Sequence, residues 1–471
     1  MHLSSSSALL AALIAGSAAA ENPALTIYRA DSDTLFENGG SPVADGYAVV
    51  HEQRTLKLTG GRQTLVVDGL PTMLDPEAVS LDLRAGSRIL AQRVLSTGDS
   101  GALAAHRGEK ITLGLRSGSI EGTLIGIDGG APIVRDGAGQ VVYVREYDTL
   151  RFAQGSGLPG STLQLAVDGK AGDVAATLTY PTSGLGWRAA YSVLLQDGSA
   201  CRLRLDALAS IANRTGRDYP EAKLKLVAGS PNIMRQPSPR PMAYKAAAMA
   251  APAAPPEQSS LGDYRSYAID GNLDIPDASV TQLPLYAASE LDCERRWISE
   301  SGGAWFPQKP LLRAEDVYVA NAPIVSELRF TPAENLPAGH LRVLTRDKDG
   351  RVEFLGEARI GDTQKRVALP ITLGNAFDLS AMRERTAFSM DRAAHEINEG
   401  FRITLNNTGE TARTISVREH PNRWRAWSLV SSSQKPGKQT PDLLEFEVAV
   451  PANGKATLDY VVKYSWTAKD E

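Results

Sequence analysis

Between residues 177 and 195 the chain reads as two β-rich runs separated by a break, and a two-residue period of apolar side chains in such runs limits its fold most strongly. Residues 174–180 and 187–195 are rich in β-branched, aromatic and aliphatic side chains, which are typical of strands. The Pro, Gly and Ser residues of 181–186 indicate a turn between them. Residues 210–232 repeat the order of strand, turn and strand. Together these segments predict the central sheet of a large all-β chain.

Length and charge narrow the class of protein. With 471 residues the chain is long enough for several hydrophobic cores, because single cores stop growing at roughly 250–300 residues. A hydrophobic content of 42% and a charged content of 22% are ordinary for a folded protein. The 50 basic and 54 acidic residues leave a net charge of −4, which argues against binding to nucleic acid or to an anionic membrane.

The N-terminus carries an export pattern. Residues 8–15 form a short apolar run, and the small residues 16–20 (GSAAA) precede Glu21. This pattern predicts a signal peptide over residues 1–20, cleaved after Ala20, although the segment before the apolar run lacks Lys and Arg. A disordered Ala/Ser tail is the alternative. A spanning helix needs about 20 apolar residues, and the sequence has no such run, so we predict no transmembrane segment. We expect a periplasmic or secreted protein.

Cys201 and Cys293 are the two cysteines of the chain. An exported compartment permits a disulfide between them, and closing so long a loop contributes about 4–5 kcal/mol in the chain-entropy model. Two buried free thiols are the alternative, because unpaired cysteines are common core residues. The sequence leaves both open, since spacing alone does not place the two Cα atoms within bridging distance.

The order of strand-like runs, turns and composition changes predicts a multi-domain arrangement. Five short runs separated mostly by Gly or Asp-Gly turns indicate a small SH3-like or Sm-like barrel at 107–153. Sm-like barrels often bind RNA, but the arginines here are more simply solvated charges, and we expect no nucleic acid. The predicted segments are an N-terminal β domain at 21–162 containing the barrel, a central sheet at 163–235, an Ala/Pro-rich flexible loop at 236–262, a second β part at 263–380 and an immunoglobulin-like sandwich at 381–471.

Five segments give the chain a resemblance to a known family. They are 186–191 (GWRAAY), 213–219 (NRTGRDY), 336–343 (LPAGHLRV), 374–378 (GNAFD) and 450–460, which begins VPANG. In order and spacing the chain resembles the bacterial domain-of-unknown-function family 4139, also called the mucoidy-inhibitor-A-like family. Tyr219 stands where the family usually has Trp, and the barrel-like segment replaces the coiled coil of many members. The resemblance implies a mainly β protein with no established activity, and therefore no catalytic residues to carry over.

Motifs for catalysis or metal binding are incomplete. His395-Glu396 begins like a zinc-protease motif, but position 399 is Glu399 and not a histidine. Residues 347–350 (DKDG) begin like a calcium loop, but position 358 is Ala358, and the flanking runs predict a hairpin instead. We find no nucleophile elbow and no phosphate-binding loop. The sequence therefore predicts no catalytic residue, no metal ligand and no cofactor.

The most suggestive cluster is Arg423, Trp424, Arg425 and Trp427. Tryptophans flanked by arginines can stack on sugar rings or on a partner's side chains. At a spacing of three on a strand the two rings face opposite sides, so packing in the core is the favoured alternative for at least one. Core positions are also favoured for the other tryptophans considered, Trp187, Trp297 and Trp305.

Two functions fit these observations. The first is a non-enzymatic envelope or extracellular interaction protein that holds an envelope protein or a glycan. The second is an exported hydrolase acting on polysaccharide or peptide, whose acidic residues come together only in the fold. A groove with two carboxylates at glycosidase spacing, or with a carboxylate and a histidine, would favour the enzyme, whereas a flat aromatic face would favour binding.

Overall fold

The computed structural model divides the chain into two compact units. The first comprises Met1–Ala190 and Ala207–Ala287, and the second comprises Tyr191–Asp206 and Ala288–Glu471. The predicted signal peptide lies outside the described residues, as do residues 236–256 of the predicted loop. The structure describes residues 22–37, 39, 41–83, 87–95, 103, 106–152, 160–196, 198, 200–229, 257–261, 264–303, 305–316, 321 and 323–470.

Nearly all regular structure is β, which confirms the predicted fold class. Helical elements of the described residues include one α-helical turn, α1 (Asp33–Phe36), and a 3-10 turn at Ala314–Asp316. The first fourteen strands are β1 (Ala24–Tyr28), β2 (Ala48–Leu58), β3 (Gly61–Leu70), β4 (Ser80–Leu83), β5 (Ser87–Leu95), β6 (Lys110–Leu115), β7 (Gly118–Asp128), β8 (Ala131–Asp136), β9 (Val141–Tyr143), β10 (Thr149–Phe152), β11 (Ser161–Gly169), β12 (Gly172–Thr182), β13 (Leu185–Leu195) and β14 (Arg202–Asn213). The others are β15 (Tyr219–Ala228), β16 (Glu257–Leu261), β17 (Tyr264–Ile275), β18 (Ser279–Ser301), β19 (Pro323–Phe330), β20 (Gly339–Arg346), β21 (Val352–Ile360), β22 (Leu369–Asp391), β23 (Glu396–Asn407), β24 (Arg413–Glu419), β25 (Trp427–Ser432), β26 (Lys438–Thr440), β27 (Leu443–Val450) and β28 (Gly454–Ser465).

The first unit is built on a seven-stranded sheet in the order β16-β17-β15-β1-β2-β12-β4. A three-stranded sheet, β3-β11-β5, accompanies it in the same unit. On β12 the predicted alternation is visible, since Leu178 and Tyr180 are buried whereas Thr177 and Thr179 are half-buried. The period of two therefore decides which side chains of this strand enter the core.

The turn between β12 and β13 depends on Gly184. Its φ is +82°, a left-handed conformation that favours glycine, and a Cβ there would lie 2.7 Å from the backbone oxygen of Arg214.

Strand β12 pairs with β2 and β4. The predicted order of strand, turn and strand is therefore present, but β12 finds its partners elsewhere in the chain.

The predicted barrel segment forms five strands, as expected, but they make an open sheet. Its order is β10-β6-β7-β8-β9, and a small core that includes Ile111, Leu113, Leu124 and Val134 lies against it. In the described residues the edge strands β9 and β10 do not pair with each other, so the barrel is not closed. Closure requires a strand at each edge long enough to meet the other, and β9 has only three residues.

The second unit contains the predicted hairpin of β20 and β21. Gly350 has a φ of +79° and donates its amide hydrogen to the backbone oxygen of Asp347 at 3.0 Å. The Oδ1 atom of Asp347 accepts the amide hydrogens of Asp349 and Arg351. The aspartate that suggested a calcium loop is thus used to close the turn.

The C-terminal strands form two packed layers. Pairing runs from β26 through β27, β24, β18, β19, β22, β23 and β28 to β25. Buried side chains of β23 and β28 share one core with those of β24 and β27. Among them are Phe401, Val417, Phe446, Val462 and Tyr464. This sandwich positions the site described below.

Two strands differ from the predicted segment limits. Strand β22 continues through residue 380, where we expected one β part to end and the sandwich to begin. Strand β16 lies at the end of the stretch predicted as a flexible loop, and its backbone pairs with β17. Strand β16 pairs with the strand that follows it in sequence, Leu261 opposite Tyr264, so the regular structure resumes before the predicted end of the loop.

Cys201 and Cys293 are joined by a disulfide in the second unit. The S–S distance is 2.03 Å and the two Cα atoms are 5.0 Å apart. The amide of Cys293 also donates to the backbone oxygen of Cys201 at 2.9 Å. Of the two alternatives that the sequence left open, the structure has the bridge.

Candidate functional site

The four residues proposed from the sequence do not share one surface. Arg423 is buried and donates from Nε and Nη2 to the two carboxylate oxygens of Glu399, at 2.8 Å each. Its remaining N–H groups donate to backbone carbonyls of residues 311–314. Glu399 also accepts from Nε of Arg385 at 2.7 Å. Arg423 is thus a buried residue that is paired with the carboxylate of Glu399. The residues around Arg423 in the sequence do not reveal this partner.

The two tryptophans of this cluster also separate. Trp424 is 2% exposed and belongs to the sandwich core. Trp427 opens β25, is half-buried and donates Nε1–H to the backbone oxygen of Pro441 at 2.6 Å. Arg425 covers the Trp424 ring at 4.4 Å and its side chain is 66% exposed. Only Arg425 and Trp427 therefore present surface to a ligand, and the predicted four-residue face is corrected to these two.

A more developed site lies elsewhere in the second unit. It is an open pocket with a volume of about 650 Å³, and neighbouring strands of the sandwich supply most of its lining. We call it the Phe377 pocket. Its lining comes from β18, β19, β21, β22, the start of β24 and the loop after β23, and includes Arg295, Trp297, Ser326, Leu355, Leu373, residues 374–379, residues 407–411 and Arg413.

An irregularity in β22 shapes the rim of this pocket. Pairing between β19 and β22 shifts between Val325↔Asn375 and Pro323↔Ser380, so four residues of β22 face one residue of β19. Three of these residues are extra, and residues 376–378 bulge from the sheet, whereas Leu379 already pairs with Asn407 of β23. Phe377 stands on this bulge and is fully exposed, whereas the next most exposed of the described large hydrophobic side chains, Tyr143, is 59% exposed. The bulge thus presents an aromatic ring to solvent at the edge of a pocket.

Gly374 begins the irregular part of β22. Its φ is +128°, which non-glycine residues rarely adopt. A Cβ at this position would meet no atom within 4 Å, so the backbone conformation and not a lack of space requires glycine. The local sequence GNAFD therefore folds as it does because the glycine allows the strand to leave its register before Phe377.

The lining of the pocket includes two arginines and a tryptophan. The guanidinium carbon of Arg413 lies 4.4 Å from the centroid of the Trp297 ring, and that of Arg295 lies 6.0 Å from it. Arg295 also donates from Nη2 to Oγ of Ser326 at 3.2 Å. In the described part of the chain, neither guanidinium has a carboxylate within salt-bridge distance. Partial burial, and then the positive charge of Arg413, lower the pKa of Arg295 from its ordinary value.

Another part of the lining is acidic and polar. Asp378 belongs to the bulge, and its backbone oxygen accepts the amide hydrogen of Thr408 at 2.9 Å. Asn407 turns the chain after β23, donating from Nδ2 to the backbone oxygen of Thr411 and accepting the Gly409 amide hydrogen. A Cβ at Gly409 would lie 3.5 Å from Oδ2 of Asp378, so loop and bulge approach closely. Glu410 adds a second carboxylate to this part of the lining.

One carboxyl group of the second unit whose pKa is raised, that of Glu419, does not belong to the pocket. Burial raises the pKa of Glu419, although Nε of Arg383 lies 2.9 Å from its Oε2 atom and the Tyr460 hydroxyl donates to it at 2.6 Å. These three side chains do not line the pocket. Their perturbation is therefore a property of the sandwich core and does not mark an accessible acid.

Sequence reasoning missed most of the pocket. Trp297, expected in the core, is half-buried in the pocket lining, and Trp305, also expected in the core, is 55% exposed; Trp187 is fully buried as expected. The local signal for the site is the segment 374–378, which contributes to the family resemblance and carries the exposed ring of Phe377. Arg295 and Arg413 give no local signal, because they meet only through strand pairing.

The described residues lack two further kinds of feature, a membrane-spanning helix and a metal-binding cluster. No helix in the described ranges is both long enough and apolar enough to cross a membrane. Within the same ranges, no group of three or more His, Cys, Asp or Glu side chains is arranged to hold a metal ion.

Comparison with known proteins identifies the family. No curated protein matches the chain. The model of the family described as Domain of unknown function (DUF4139) matches residues 176–468, which is more than half of the sequence. This range contains the five segments noted above and all residues that line the Phe377 pocket. The chain therefore belongs to the DUF4139 family.

Proposed function

We propose that the protein is an exported, non-enzymatic interaction protein of the bacterial envelope or extracellular space that holds a glycan or a protein in the Phe377 pocket. The observation that carries this proposal is the position of Phe377, fully exposed on a bulge at the rim of an open pocket. Aromatic side chains at such rims supply contact area at low cost in conformational entropy. Arg295 and Arg413, without carboxylate partners among the described residues, supply charge for orientation.

Two observations support export. The N-terminal pattern at residues 1–20 is typical of a signal peptide. The disulfide between Cys201 and Cys293 fits the same route, because such bonds persist in the periplasm and outside the cell but are rare in the cytosol. We therefore propose a periplasmic or secreted location.

A hydrolase is the second candidate, and one observation favours it. Asp378 and Glu410 both line the pocket, and hydrolysis of a glycosidic bond commonly uses a pair of carboxylates. Binding is the better-supported function because the pocket is open and its accessible ring and guanidinium groups are features that hold a ligand. The carboxyl group whose pKa is raised by burial, Glu419, is enclosed with Arg383 and Tyr460 in the core.

The experiment compares retention with turnover. Mature protein, residues 21–471, is immobilised and incubated with solubilised envelope glycans and proteins, and mass spectrometry follows both the bound and the unbound material. We expect material to be retained without change by the wild type, to be lost with Phe377→Ala and to be kept with Tyr143→Ala, which removes another exposed ring. Accumulation of cleavage products that stops with Asp378→Asn or Glu410→Gln would instead establish the hydrolase.

A further inference from the structure

We infer that the Phe377 pocket recognises a carboxylate-bearing saccharide, with the carboxylate between Arg295 and Arg413 and a ring face on Phe377. This inference rests on the proposed function and adds the chemical class of the ligand.

The first step is the cationic pair. Strand β24 lies parallel to β18, and Trp297 pairs with Ile415. Arg295 lies two residues before Trp297, and Arg413 lies two residues before Ile415. The two arginines therefore occupy matching positions on neighbouring strands. Both side chains line the pocket. Two like charges brought together without a neutralising carboxylate repel each other, so an anion that contacts both is favoured there. Guanidinium groups suit carboxylate and phosphate because they offer planar pairs of N–H donors.

The second step distinguishes these anions. Asp378 and Glu410 line the same pocket, so its four charged side chains balance. A doubly charged phosphate would gain from the two arginines but would be repelled by the two carboxylates. A singly charged carboxylate meets less repulsion, and hydroxyl groups on the same molecule can donate to Asp378 and Glu410. The charge pattern therefore favours a monoanion that carries several hydroxyl groups.

The third step is the remaining lining. Ser326, Asn375, Thr408 and Thr411 add further hydrogen-bonding groups, and Phe377 presents an unobstructed ring at the rim. A sugar ring has one apolar C–H face that packs on an aromatic ring and hydroxyl edges that need polar partners. The volume of about 650 Å³ lies within the range of small-molecule sites. A sugar acid meets all three kinds of lining group at once.

Calorimetric titration of the mature protein tests the inference. The probes are sugar trimers that contain a single galacturonic acid or glucuronic acid residue, and so one carboxylate, together with their methyl esters, the corresponding neutral trimers, and inorganic phosphate. We expect at least one acid trimer to bind, with its methyl ester about tenfold weaker, because the ester lacks the charge that the arginines bind. Arg295→Gln and Arg413→Gln should each abolish the preference for acid over ester. Phe377→Ala should weaken acid and ester alike.

Matched controls separate the site from general effects. Arg62→Gln removes a guanidinium group whose side chain is 78% exposed in the first unit, and Tyr143→Ala removes an exposed ring there; both variants should bind like the wild type. Circular dichroism verifies that each variant is folded.

The inference is overturned if neither acid trimer binds, if binding does not depend on Arg295 and Arg413, or if phosphate competes more strongly than the acids. If envelope material is still retained through Phe377 in that case, the ligand class is wrong and the proposed function stands. If that retention is also absent, both fail.

Discussion

Arg413 stacks on Trp297, with its guanidinium carbon 4.4 Å from the centroid of the ring. Trp297 in turn packs against the core of the sandwich. A charged group of the pocket is therefore positioned by a side chain that the core holds in place. Such support matters for recognition, because a site is selective only when its groups are held near the geometry that the ligand requires.

The contrast between Arg423 and Arg425 gives a prediction about stability. Replacing Arg423 with Met leaves Arg385 as the remaining ionic partner of the buried Glu399 among the described residues, and leaves three backbone carbonyls without the donor that Arg423 supplies. Removing one partner of a buried ion pair commonly costs about 3–5 kcal/mol of unfolding free energy. Denaturant unfolding of Arg423→Met should show a loss of this order.

The control for this prediction lies two positions away. Arg425→Met removes a mostly exposed guanidinium group whose pair with Asp470 lies at the surface, so we expect little change in unfolding free energy. Equal losses in the two variants would mean that Arg423 is not the buried support that its contacts indicate.

The disulfide predicts a measurable thiol count and a stability change. Mature protein purified without reductant should contain no reactive thiol at Cys201 or Cys293. The bond closes a loop with a sequence separation of 92 residues, so its removal by Cys201→Ser and Cys293→Ser together should lower the unfolding free energy by about 2–5 kcal/mol. Two titratable thiols in the unreduced, exported protein would contradict the bridge.

Glu52 in the first unit predicts a dependence of stability on pH. Burial disfavours its ionised form, but Arg217, Arg54 and the Tyr180 hydroxyl outweigh this effect and hold the pKa of Glu52 below its ordinary 4.5. A carboxyl group whose pKa is lower in the folded state contributes stability that is present above the unfolded pKa and is lost as the pH falls through the folded pKa. Glu52→Gln should therefore be less stable than the wild type at pH 7, with a difference that shrinks below about pH 4.5.

Chemical denaturation at a series of pH values measures this difference. Glu77→Gln serves as the control, because Glu77 is exposed and its replacement should give no comparable trend. A Glu52→Gln penalty that stays constant between pH 7 and strongly acidic conditions would show that the charge of Glu52 does not contribute in this way.

Gly374 predicts that backbone conformation supports the binding site. Gly374→Ala places a side chain at a φ of +128°, which should cost about 1–3 kcal/mol, although the added Cβ meets no neighbour. We expect lower stability in thermal unfolding and weaker retention of envelope material, because the bulge that carries Phe377 begins here. Gly361→Ala is the control, since Gly361 lacks a positive φ and also has open space. Normal stability and normal retention with Gly374→Ala would show that the bulge carrying Phe377 does not depend on a glycine at this position.

Local patterns in the sequence were sufficient for the strands and for some turns. The alternation on β12 and the Asp347–Gly350 turn depend on neighbours in sequence, and both are present as predicted. The Phe377 pocket could not be predicted in this way. Arg295 and Arg413 are more than one hundred residues apart in sequence, and their proximity depends on the parallel pairing of β18 with β24.

Contacts between residues far apart in sequence also explain why Arg423, Trp424, Arg425 and Trp427 do not form the predicted binding surface. Trp424 lies in the core, as was favoured for at least one of the two rings, but it precedes β25 and does not share a strand with Trp427, so the spacing argument does not apply. The burial of Arg423 depends on Glu399 in a different strand. Closure of the predicted barrel likewise depended on whether β9 and β10 meet, which strand composition does not determine.

Amide hydrogen exchange tests most directly whether the Phe377 pocket is the binding site. Exchange of the mature protein is measured with and without solubilised envelope material, read out by mass spectrometry of overlapping peptides. We predict slower exchange at residues 374–378 and 407–411, which form the bulge and the adjoining loop. Protection confined to the surface of Arg425 and Trp427, with no change in these two segments, would contradict the account.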